Sequence, residues 1–257
     1  MTFPCYDELT PIYHLIYPDW EASVARQGAQ LESLIVELWG NDARRILDAS
    51  CGIGTQALGL AQRGFTVTGS DLSVQAVERA KAEASRRSVN VDLSVADMRH
   101  AFDHHQRTFD VVISCDNAIP HLLSDADIVR AFEQFYQCTK PGGGCIISVR
   151  DYGAMDLQGV QVHPYGIRSE GNIRYFVFQV WEFQGSIYDV SMYFVKDEGT
   201  ARCETQVVRA KYYAITIDRL MTLLAQAGFE EVKRLDGRFF QPIVIATRPA
   251  SLDFHGE

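Results

Sequence analysis

Three aspartates, each at the end of an apolar run, are the residues of this 257-residue sequence best placed to act together. Asp48, Asp71 and Asp97 each follow a short stretch typical of a buried β-strand. The carboxyl ends of parallel strands lie at one edge of a sheet, so we expect the three carboxylates to lie close together there. Carboxylates in that position can accept hydrogen bonds from the hydroxyls and the amino group of a nucleoside.

A glycine-rich stretch follows directly after the first of these acids. Residues 48–57 read Asp-Ala-Ser-Cys-Gly-Ile-Gly-Thr-Gln-Ala, which predicts a tight loop between a strand and a helix. Glycines let a ligand approach backbone that a Cβ would block. Gly52 and Gly54 also satisfy the G-x-G-x-x-A pattern of dinucleotide-binding loops, so the loop alone does not name the ligand.

The position of the acids separates two kinds of nucleotide ligand. Asp48 precedes the glycines, where a dinucleotide fold rarely needs an acid but a ligand with an amino group would benefit from one. Asp71 does not discriminate, because both kinds of fold use an acid there to accept from a ribose. Asp97 can accept from an adenine amino group. A compact adenosine ligand that spans three strand ends therefore fits better than the alternative, a nicotinamide dinucleotide.

The elements that position these residues follow an alternating pattern. Strands alternating with helices predict a parallel sheet with helices on both faces. The later β-rich runs lack a helical period and predict an antiparallel meander. Strands are predicted at residues 46–48, 65–69, 91–95, 109–114, 145–149, 173–183, 187–195, 205–214, 229–235 and 242–247, and helices at 55–63, 73–87, 124–138 and 217–227.

The predicted fold class is therefore α/β, a doubly wound seven-stranded sheet that is mostly parallel, with its last strand antiparallel. Residues 1–40 are rich in large aromatics and predict an N-terminal helical lid segment. Residues 41–152 and 214–248 are predicted to form a Rossmann-like core. Residues 153–213 are predicted to form an inserted antiparallel β region that covers the substrate.

Composition restricts the partners. Hydrophobic residues make up 47% of the chain, and the net charge of −9 disfavours DNA or RNA. No apolar run is long enough to span a bilayer, and the six cysteines form no C-x-x-C pair. We therefore expect free thiols in a cytoplasmic protein without a membrane partner. The oligomeric state stays open, although the edge of the meander offers a surface for a homodimer.

The order of these motifs resembles the class I S-adenosylmethionine-dependent methyltransferases. The resemblance covers about residues 40–152 and 214–248, and Ser50 departs from the glycine that the family most often has at that position. It implies an enzyme with S-adenosylmethionine as its cofactor. The motifs that carry it are Ile-Leu-Asp-x-x-x-Gly-x-Gly at 46–54, Asp71, Asp97-Met98, Phe109-Asp110-Val111-Val112 and Lys140-Pro141-Gly142-Gly143.

The resemblance also implies a role for each matching position. Asp71 would bind the ribose diol while Leu72 covers the adenine. Asp97 would meet the adenine amine while Met98 flanks the ring. The remaining cofactor contacts would be Asp48, Ser50, Gly52 and Gly54 around the methionine and ribose, and Cys115 and Asp116 near the amino-acid part.

The flanking regions are similar to small-molecule methyltransferases, including the glycine and sarcosine N-methyltransferase group. That similarity implies a small-molecule acceptor, methylated on a nitrogen of an amino-acid-like compound, and an arginine for a carboxylate. An amine nucleophile must be neutral, and a nearby acceptor helps to hold it so. The candidate catalytic residues are His121, Asn117 and Tyr17, and the candidate substrate contacts are Trp20, Arg150 and Tyr152.

Two other functions remain open at this stage. Asp116, Asn117 and Asp151 offer only oxygen ligands, which suits Mg²⁺ and a metal-dependent O-methyltransferase. The first interpretation is metal-free, because no second acid follows Asp151 directly. A non-catalytic protein that binds an adenosyl ligand is the other alternative. Three histidines in a predicted polar loop, at positions 100, 104 and 105, fit no common zinc spacing and are interpreted as surface residues.

Overall fold

The computed structural model describes residues 4–250, and strands alternate with helices through its first part. An N-terminal segment of two helices, joined by the 3₁₀ turn Thr10–Ile16, precedes the first strand. The helices are α1 (Pro4–Leu9), α2 (Trp20–Trp39), α3 (Thr55–Ala61), α4 (Val74–Arg86), α5 (Ala101–His105), α6 (Asp125–Cys138) and α7 (Ile217–Gln226). The strands are β1 (Arg45–Asp48), β2 (Thr66–Asp71), β3 (Val91–Val95), β4 (Phe109–Ser114), β5 (Thr139–Ser148), β6 (Val160–Glu170), β7 (Ile173–Gln184), β8 (Ile187–Asp197), β9 (Glu204–Tyr213), β10 (Glu230–Leu235) and β11 (Ile243–Thr247).

The main sheet has seven strands in the order β10-β11-β5-β4-β1-β2-β3. β1 pairs in parallel with both β2 and β4, and β4 pairs in parallel with β5. The last strand, β11, is antiparallel to both of its neighbours. The predicted fold class is confirmed, and the chain order brings the ends of β1 to β4 to one edge of the sheet.

Helices cover both faces of this sheet. One face carries α2, α3 and α4, which bury residues such as Ile35 and Val77, and the other carries α6 and α7 with Phe132 and Leu224. Helices α2 and α3 approach each other so closely that a Cβ on Gly28 would lie 2.6 Å from the backbone of Gly59. These two glycines let the N-terminal segment pack directly on the helix that follows the glycine loop.

A second, antiparallel sheet has four strands in the order β6-β7-β8-β9. The sequence predicts its last three strands, and its first strand, β6, is missed. The register of β6 on β7 shifts between Pro164 and Gly166, and several β6 side chains are exposed. An edge strand tolerates proline and a bulge because one side of its backbone is unpaired, so its sequence shows weak strand preference.

Two further expectations need correction. Strand β5 begins at Thr139, ahead of the predicted residue 145, because Gly144 already pairs with β4 and β11. A Cβ at Gly144 would lie 1.9 Å from the Trp39 ring, so a glycine is required there. The predicted polar loop contains helix α5, in which His105 is partly buried and bonds the Ser70 hydroxyl at 3.2 Å.

None of the helices within residues 4–250 is long and apolar enough to cross a membrane.

Candidate active site

A cavity lies at the carboxyl ends of β1 to β4, beneath the N-terminal segment. It is lined by tyrosines from that segment, by the glycine loop, and by the residues that follow β2, β3 and β4. Predicted site residues that the structure brings together on its walls are Tyr17, Ser50, Gly52, Asp71, Leu72, Asp97, Met98, Cys115, Asp116 and His121.

Asp71, at the end of β2, organises the glycine loop. Its Oδ2 accepts a 2.8 Å hydrogen bond from the Gly52 N–H, and its Oδ1 accepts a 2.9 Å bond from the Ser73 N–H. Gly52 has a φ of 50°, a left-handed conformation that suits glycine. Burial raises the pKa of Asp71, and the hydrogen bonds from Ser73 and Gly52 oppose that rise. Its carboxylate therefore holds the loop against the strand end.

Gly54 shapes the loop without lining the cavity. Its φ is 96°, and it is the N-cap of α3. A Cβ at this position would lie 2.9 Å from the Leu58 side chain. Both the conformation and the space therefore require glycine here, and the contact of Gly54 is with the helix rather than with a ligand.

Asp48 is fully buried beneath the loop rather than on the cavity wall. Its Oδ1 accepts from the Ser50 N–H at 3.3 Å, and its Oδ2 has no hydrogen-bond partner among the described residues. Burial raises the pKa of Asp48 to about 7. Ala49 and Ser50, which follow Asp48, line the cavity, so a cationic group bound there would lie near the Asp48 carboxyl and stabilise its charged form.

Asp97 faces the cavity from the end of β3, where Arg99 binds it. Arg99 Nη2 lies 2.6 Å from Asp97 Oδ2, and Nε lies 3.1 Å from both carboxylate oxygens. Burial opposes ionisation, but the hydrogen bonds and charge of Arg99 prevail and lower the pKa of Asp97. Arg99 also reaches Asp127 at 3.2 Å and lines the cavity. The sequence interpretation missed Arg99, and its only signal is an arginine two residues after a strand-end acid.

The N-terminal segment is fixed to the cavity by a chain of hydrogen bonds. The Trp20 indole N–H donates to Thr55 Oγ1 at 2.9 Å, Thr55 Oγ1 donates to the Tyr17 hydroxyl at 3.3 Å, and Tyr17 donates to Asp116 Oδ2 at 2.7 Å. Trp20 is therefore a buried anchor beside the glycine-loop helix and does not line the cavity.

The turn after β4 has an unusual backbone. Asp116 and Asn117 have φ values of 58° and 64°, which few residues other than glycine adopt. Ser148 holds this turn, because its Oγ accepts from the Asp116 N–H at 2.8 Å and its carbonyl accepts from the Asn117 N–H at 3.1 Å. Burial raises the pKa of Asp116, opposed by the hydrogen bond from Tyr17 and by the charge of Arg150. The turn directs Asp116 towards the cavity and Asn117 away from it.

His121, in the 3₁₀ turn after β4, also lines the cavity. Its Nε2 is 2.6 Å from the Tyr6 hydroxyl, and its ring packs on Tyr212 with centroids 4.1 Å apart. Burial, followed by the nearby charge of Arg150, lowers the pKa of His121 to about 3. The imidazole is therefore neutral at physiological pH.

Behind His121, aromatic rings enclose the guanidinium of Arg150. It lies 5.0 Å from the centroid of Trp181 and 5.5 Å from that of Tyr212. Its Nη2 donates to the Tyr165 hydroxyl at 3.3 Å, but Nη1 is buried and has no hydrogen-bond partner among the described residues. Arg150 is not among the residues that line the cavity, and it lies over the Tyr212 ring that packs on His121. We call Arg150 with Tyr165, Trp181, Tyr188 and Tyr212 the arginine cage.

Asn117 and Tyr152 lie beneath the arginine cage, away from the cavity. The Asn117 side chain donates to the Tyr152 hydroxyl at 2.9 Å, and its Oδ1 accepts from the Arg150 N–H at 3.0 Å. The Tyr152 hydroxyl is also 2.9 Å from that of Tyr188. Asn117 and Tyr152 are nearly fully buried, and their contacts position Arg150.

The oxygen ligands considered for a metal each bond another group of the protein. Asp151 pairs with Arg234 at 2.6 Å, Asn117 bonds the backbone of Arg150, and Asp116 accepts from Tyr17. In residues 4–250 no group of three or more acids, histidines or cysteines could hold a metal ion.

Comparison with known proteins agrees with this geometry. A family described as "Methyltransferase domain" matches residues 46–143. The glycine/sarcosine N-methyltransferase of Aphanothece halophytica is 33% identical over 142 residues, which cover 55% of this chain and 54% of that protein. The chain therefore contains a methyltransferase domain over residues 46–143.

Solved structures show the same fold over most of the chain. DesVI of Streptomyces venezuelae aligns with a TM-score of 0.80 at 18% identity, covering 93% of this chain and 98% of that one. An amino pentose methyltransferase from Micromonospora echinaspora, with S-adenosylmethionine bound, aligns with a TM-score of 0.76 at 23% identity, covering 88% and 92%. The alignment to the Aphanothece relative is shorter and spans about half of that protein's length.

The cavity fits S-adenosylmethionine, the ligand of the Micromonospora structure, on its own chemistry. The unpartnered Oδ2 of Asp48 and the cavity-facing carboxylates of Asp71 and Asp97 are acceptors, and the ligand carries an amino-acid group, a ribose and an adenine that offer donors. The left-handed backbone of Gly52 opens the loop beside them. Residues that the sequence interpretation did not assign to the site include Thr55 and Arg99 on the cavity wall, and Tyr165, Trp181, Tyr188 and Tyr212 in the arginine cage.

Proposed function

We propose that this protein transfers the methyl group of S-adenosylmethionine to the nitrogen of a small amino-acid-like acceptor. The acceptor would be an amine that also carries a carboxylate. The observation that supports this choice is the buried Nη1 of Arg150, a donor without a partner among the described residues. The name of the Aphanothece relative, a glycine/sarcosine N-methyltransferase, supports the same chemistry.

The arginine cage is suited to an anion. An arginine stays charged in a protein, and burying the charge without an anion is costly. The faces of Trp181 and Tyr212 stabilise the cation in part. A carboxylate would add two acceptors in the planar geometry that a guanidinium binds best. In this proposal Arg150 orients the acceptor by its carboxylate.

His121 would control the amine end of the acceptor. Burial and the charge of Arg150 lower the pKa of this histidine to about 3, and the same surroundings would lower the pKa of an amine bound beside it. The amine would therefore be neutral, with its lone pair free. The Tyr6 hydroxyl, 2.6 Å from His121 Nε2 on the cavity wall, has an oxygen that can accept an N–H of the amine, so that the nitrogen lone pair is directed into the cavity.

Methyl transfer then needs orientation more than acid–base chemistry. When bound, S-adenosylmethionine supplies an electrophilic methyl group. The amine nitrogen forms the new N–C bond as the bond from carbon to sulfur breaks, and the electron pair of that bond stays on sulfur. The surplus proton on nitrogen leaves to water. Holding the amine in line with the breaking bond can supply most of the rate acceleration.

Acceptor specificity tests this proposal. Labelled methyl transfer should be measured with glycine and sarcosine and with methylamine and dimethylamine, which lack the carboxylate. We expect turnover of carboxylated amines and at least a hundredfold lower kcat/KM for the others. Arg150→Gln should raise the acceptor KM by about tenfold to a hundredfold, the loss expected for a charged hydrogen bond.

A matched control is Arg174→Gln, because Arg174 lies on the same antiparallel sheet with its side chain 57% exposed. Calorimetry with S-adenosylhomocysteine should give the same affinity for wild type and both variants, which shows that the cofactor cavity is intact. The proposal would be overturned if methylamine were methylated with the same kcat/KM as glycine. It would also be overturned if Arg150→Gln left the acceptor KM unchanged.

A further inference from the structure

The face of the antiparallel sheet that points away from the arginine cage is apolar at its centre. The pairing register places side chains of β6, β7, β8 and β9 in rows across this outer face. The three central rows are Val162-Val180-Ser191-Arg209, Pro164-Phe178-Tyr193-Val207 and Ile167-Phe176-Val195-Thr205. All but Ser191, Arg209 and Thr205 are largely apolar.

Within residues 4–250 nothing from the hydrophobic interior packs on this face. The clusters that fill the interior include the alternate residues of the same strands, such as Val177, Trp181 and Val190, and omit the central apolar residues of the outer face. Val162 and Ile167 are 63% and 56% exposed. The rings of Phe178 and Tyr193 stack in parallel with centroids 4.8 Å apart and form a flat centre.

The charges of this face are balanced, and all of them except that of Arg209 lie at its two ends. One end row is Val160-Glu182-Asp189-Lys211, where Lys211 pairs with Asp189 at 2.7 Å. The other end carries Arg174 paired with Asp197 at 2.5 Å. The whole chain has a net charge of −9, so a face without excess charge is a surface on which two copies would not repel each other strongly.

The size of the face matches a protein interface. Four strands about 4.8 Å apart and five rows about 6.8 Å apart cover on the order of 600 Å². Two such faces packed together would bury on the order of 1,200 Å², the lower end of the range for specific interfaces. The three central rows alone cover on the order of 400 Å², about the size of the largest apolar patch on a typical monomer, and patches of that size often mark interaction sites. Packing two sheets face to face is also a standard way to bury such surfaces.

We propose that a second copy of this chain covers the outer face, giving a dimer in which the two antiparallel sheets pack against each other. The free edge of β6 is less suited to pairing with another strand, because Pro164 lacks an N–H and the adjacent bulge bends the backbone. The dimer is independent of the acceptor that the protein methylates. It would also brace β7 and β8, whose inner residues Trp181 and Tyr188 form part of the arginine cage.

Molecular mass in solution tests the dimer. Sedimentation velocity of the full chain from about 1 to 100 μM should give a species of twice 28.9 kDa that dissociates on dilution. The double variant Val162→Asp/Ile167→Asp should sediment as a monomer at the concentrations where wild type is dimeric, or show at least a tenfold weaker dimer. Both side chains are more than half exposed, so the exchange should not disturb the fold of one copy.

The matched control is Val74→Asp/Phe240→Asp, which places the same two charges on apolar residues that are 51% and 46% exposed and lie outside the antiparallel sheet. It should remain dimeric. Circular dichroism of each variant checks that the fold is retained. Monomeric wild type over the whole range, unchanged dimerisation of Val162→Asp/Ile167→Asp, or equal dissociation of the control would overturn the proposal.

Discussion

The Tyr17 hydroxyl donates a 2.7 Å hydrogen bond to Asp116, joining the N-terminal segment to the turn after β4. Asp116 has a left-handed backbone, with a φ of 58°. The same hydroxyl accepts from Thr55, in the first turn of the helix after the glycine loop. One tyrosine therefore connects three parts of the chain that surround the cofactor cavity, and the segment before β1 belongs to the structure of the site.

Replacing Tyr17 with phenylalanine should weaken cofactor binding. Tyr17→Phe removes the donor to Asp116 and leaves a buried carboxylate oxygen without it, a loss of about 1 to 3 kcal/mol. We expect S-adenosylhomocysteine to bind about tenfold more weakly in calorimetry. Tyr193→Phe, which removes a hydroxyl from the outer face, is the control and should bind like wild type. Equal affinities for both variants would contradict a role for Tyr17 in forming the cavity.

The affinity for the cofactor should depend on pH through Asp48. Burial raises the pKa of this carboxyl to about 7, so it is mostly protonated below pH 7 and charged above it. A bound ammonium group favours the charged form. S-Adenosylhomocysteine should therefore bind more tightly as the pH rises from 6 to 8, as calorimetry at several pH values would show. In Asp48→Asn this dependence should vanish, and its persistence there would assign it to another group.

His121 should contribute to the loss of stability in acid. Its pKa in the folded protein is lowered to about 3, whereas an unfolded histidine titrates near pH 6.5. Between these values the unfolded chain binds an extra proton, so this histidine makes the free energy of unfolding fall as the pH drops below about 6.5. Urea unfolding from pH 7 to pH 5 should show a shallower fall in His121→Gln than in wild type. A slope as steep in the variant would exclude His121 as the source.

The contact between α2 and α3 should tolerate no side chain. In Gly28→Ala the new Cβ would lie 2.6 Å from the Gly59 backbone, so the two helices must separate. We expect a loss of about 1 to 3 kcal/mol, typical of overpacking, although alanine favours a helix more than glycine does. Thermal unfolding would measure it. Gln30→Ala in the same helix is the control, and an unchanged melting temperature in Gly28→Ala would contradict the contact.

The sequence is sufficient to predict where the three strand-end acids lie in the fold. Asp71 and Asp97 reach the cavity wall, and Asp48 lies beneath the loop, because their positions follow from the order and direction of the strands alone. The seven-stranded sheet follows for the same reason, since alternating strands and helices admit few arrangements. The difference at β5 arises because pairing with β4 and β11 extends a strand through glycines that usually end one.

The acceptor half could not be predicted to the same extent. Arg150 was recognised as a candidate, but the rings around it come from β6, β7, β8 and β9, and their approach depends on pairing between distant segments. Trp20 and Tyr152 also illustrate the limit. Both are aromatic residues close in sequence to predicted site residues, and both are buried in the structure. The sequence could not show this, because the exposure of a ring depends on which distant residues pack over it.

Consecutive side chains of strand β7 point to opposite faces of the antiparallel sheet. Trp181 faces Arg150, while Val180 and Glu182 point to the other side of the sheet. Side chains alternate with a period of two, so inserting or deleting one residue upstream in this strand would exchange the two sets completely. Natural variation in acceptor preference is therefore expected to proceed by substitution at alternate positions, and length changes should be confined to the hairpin turns.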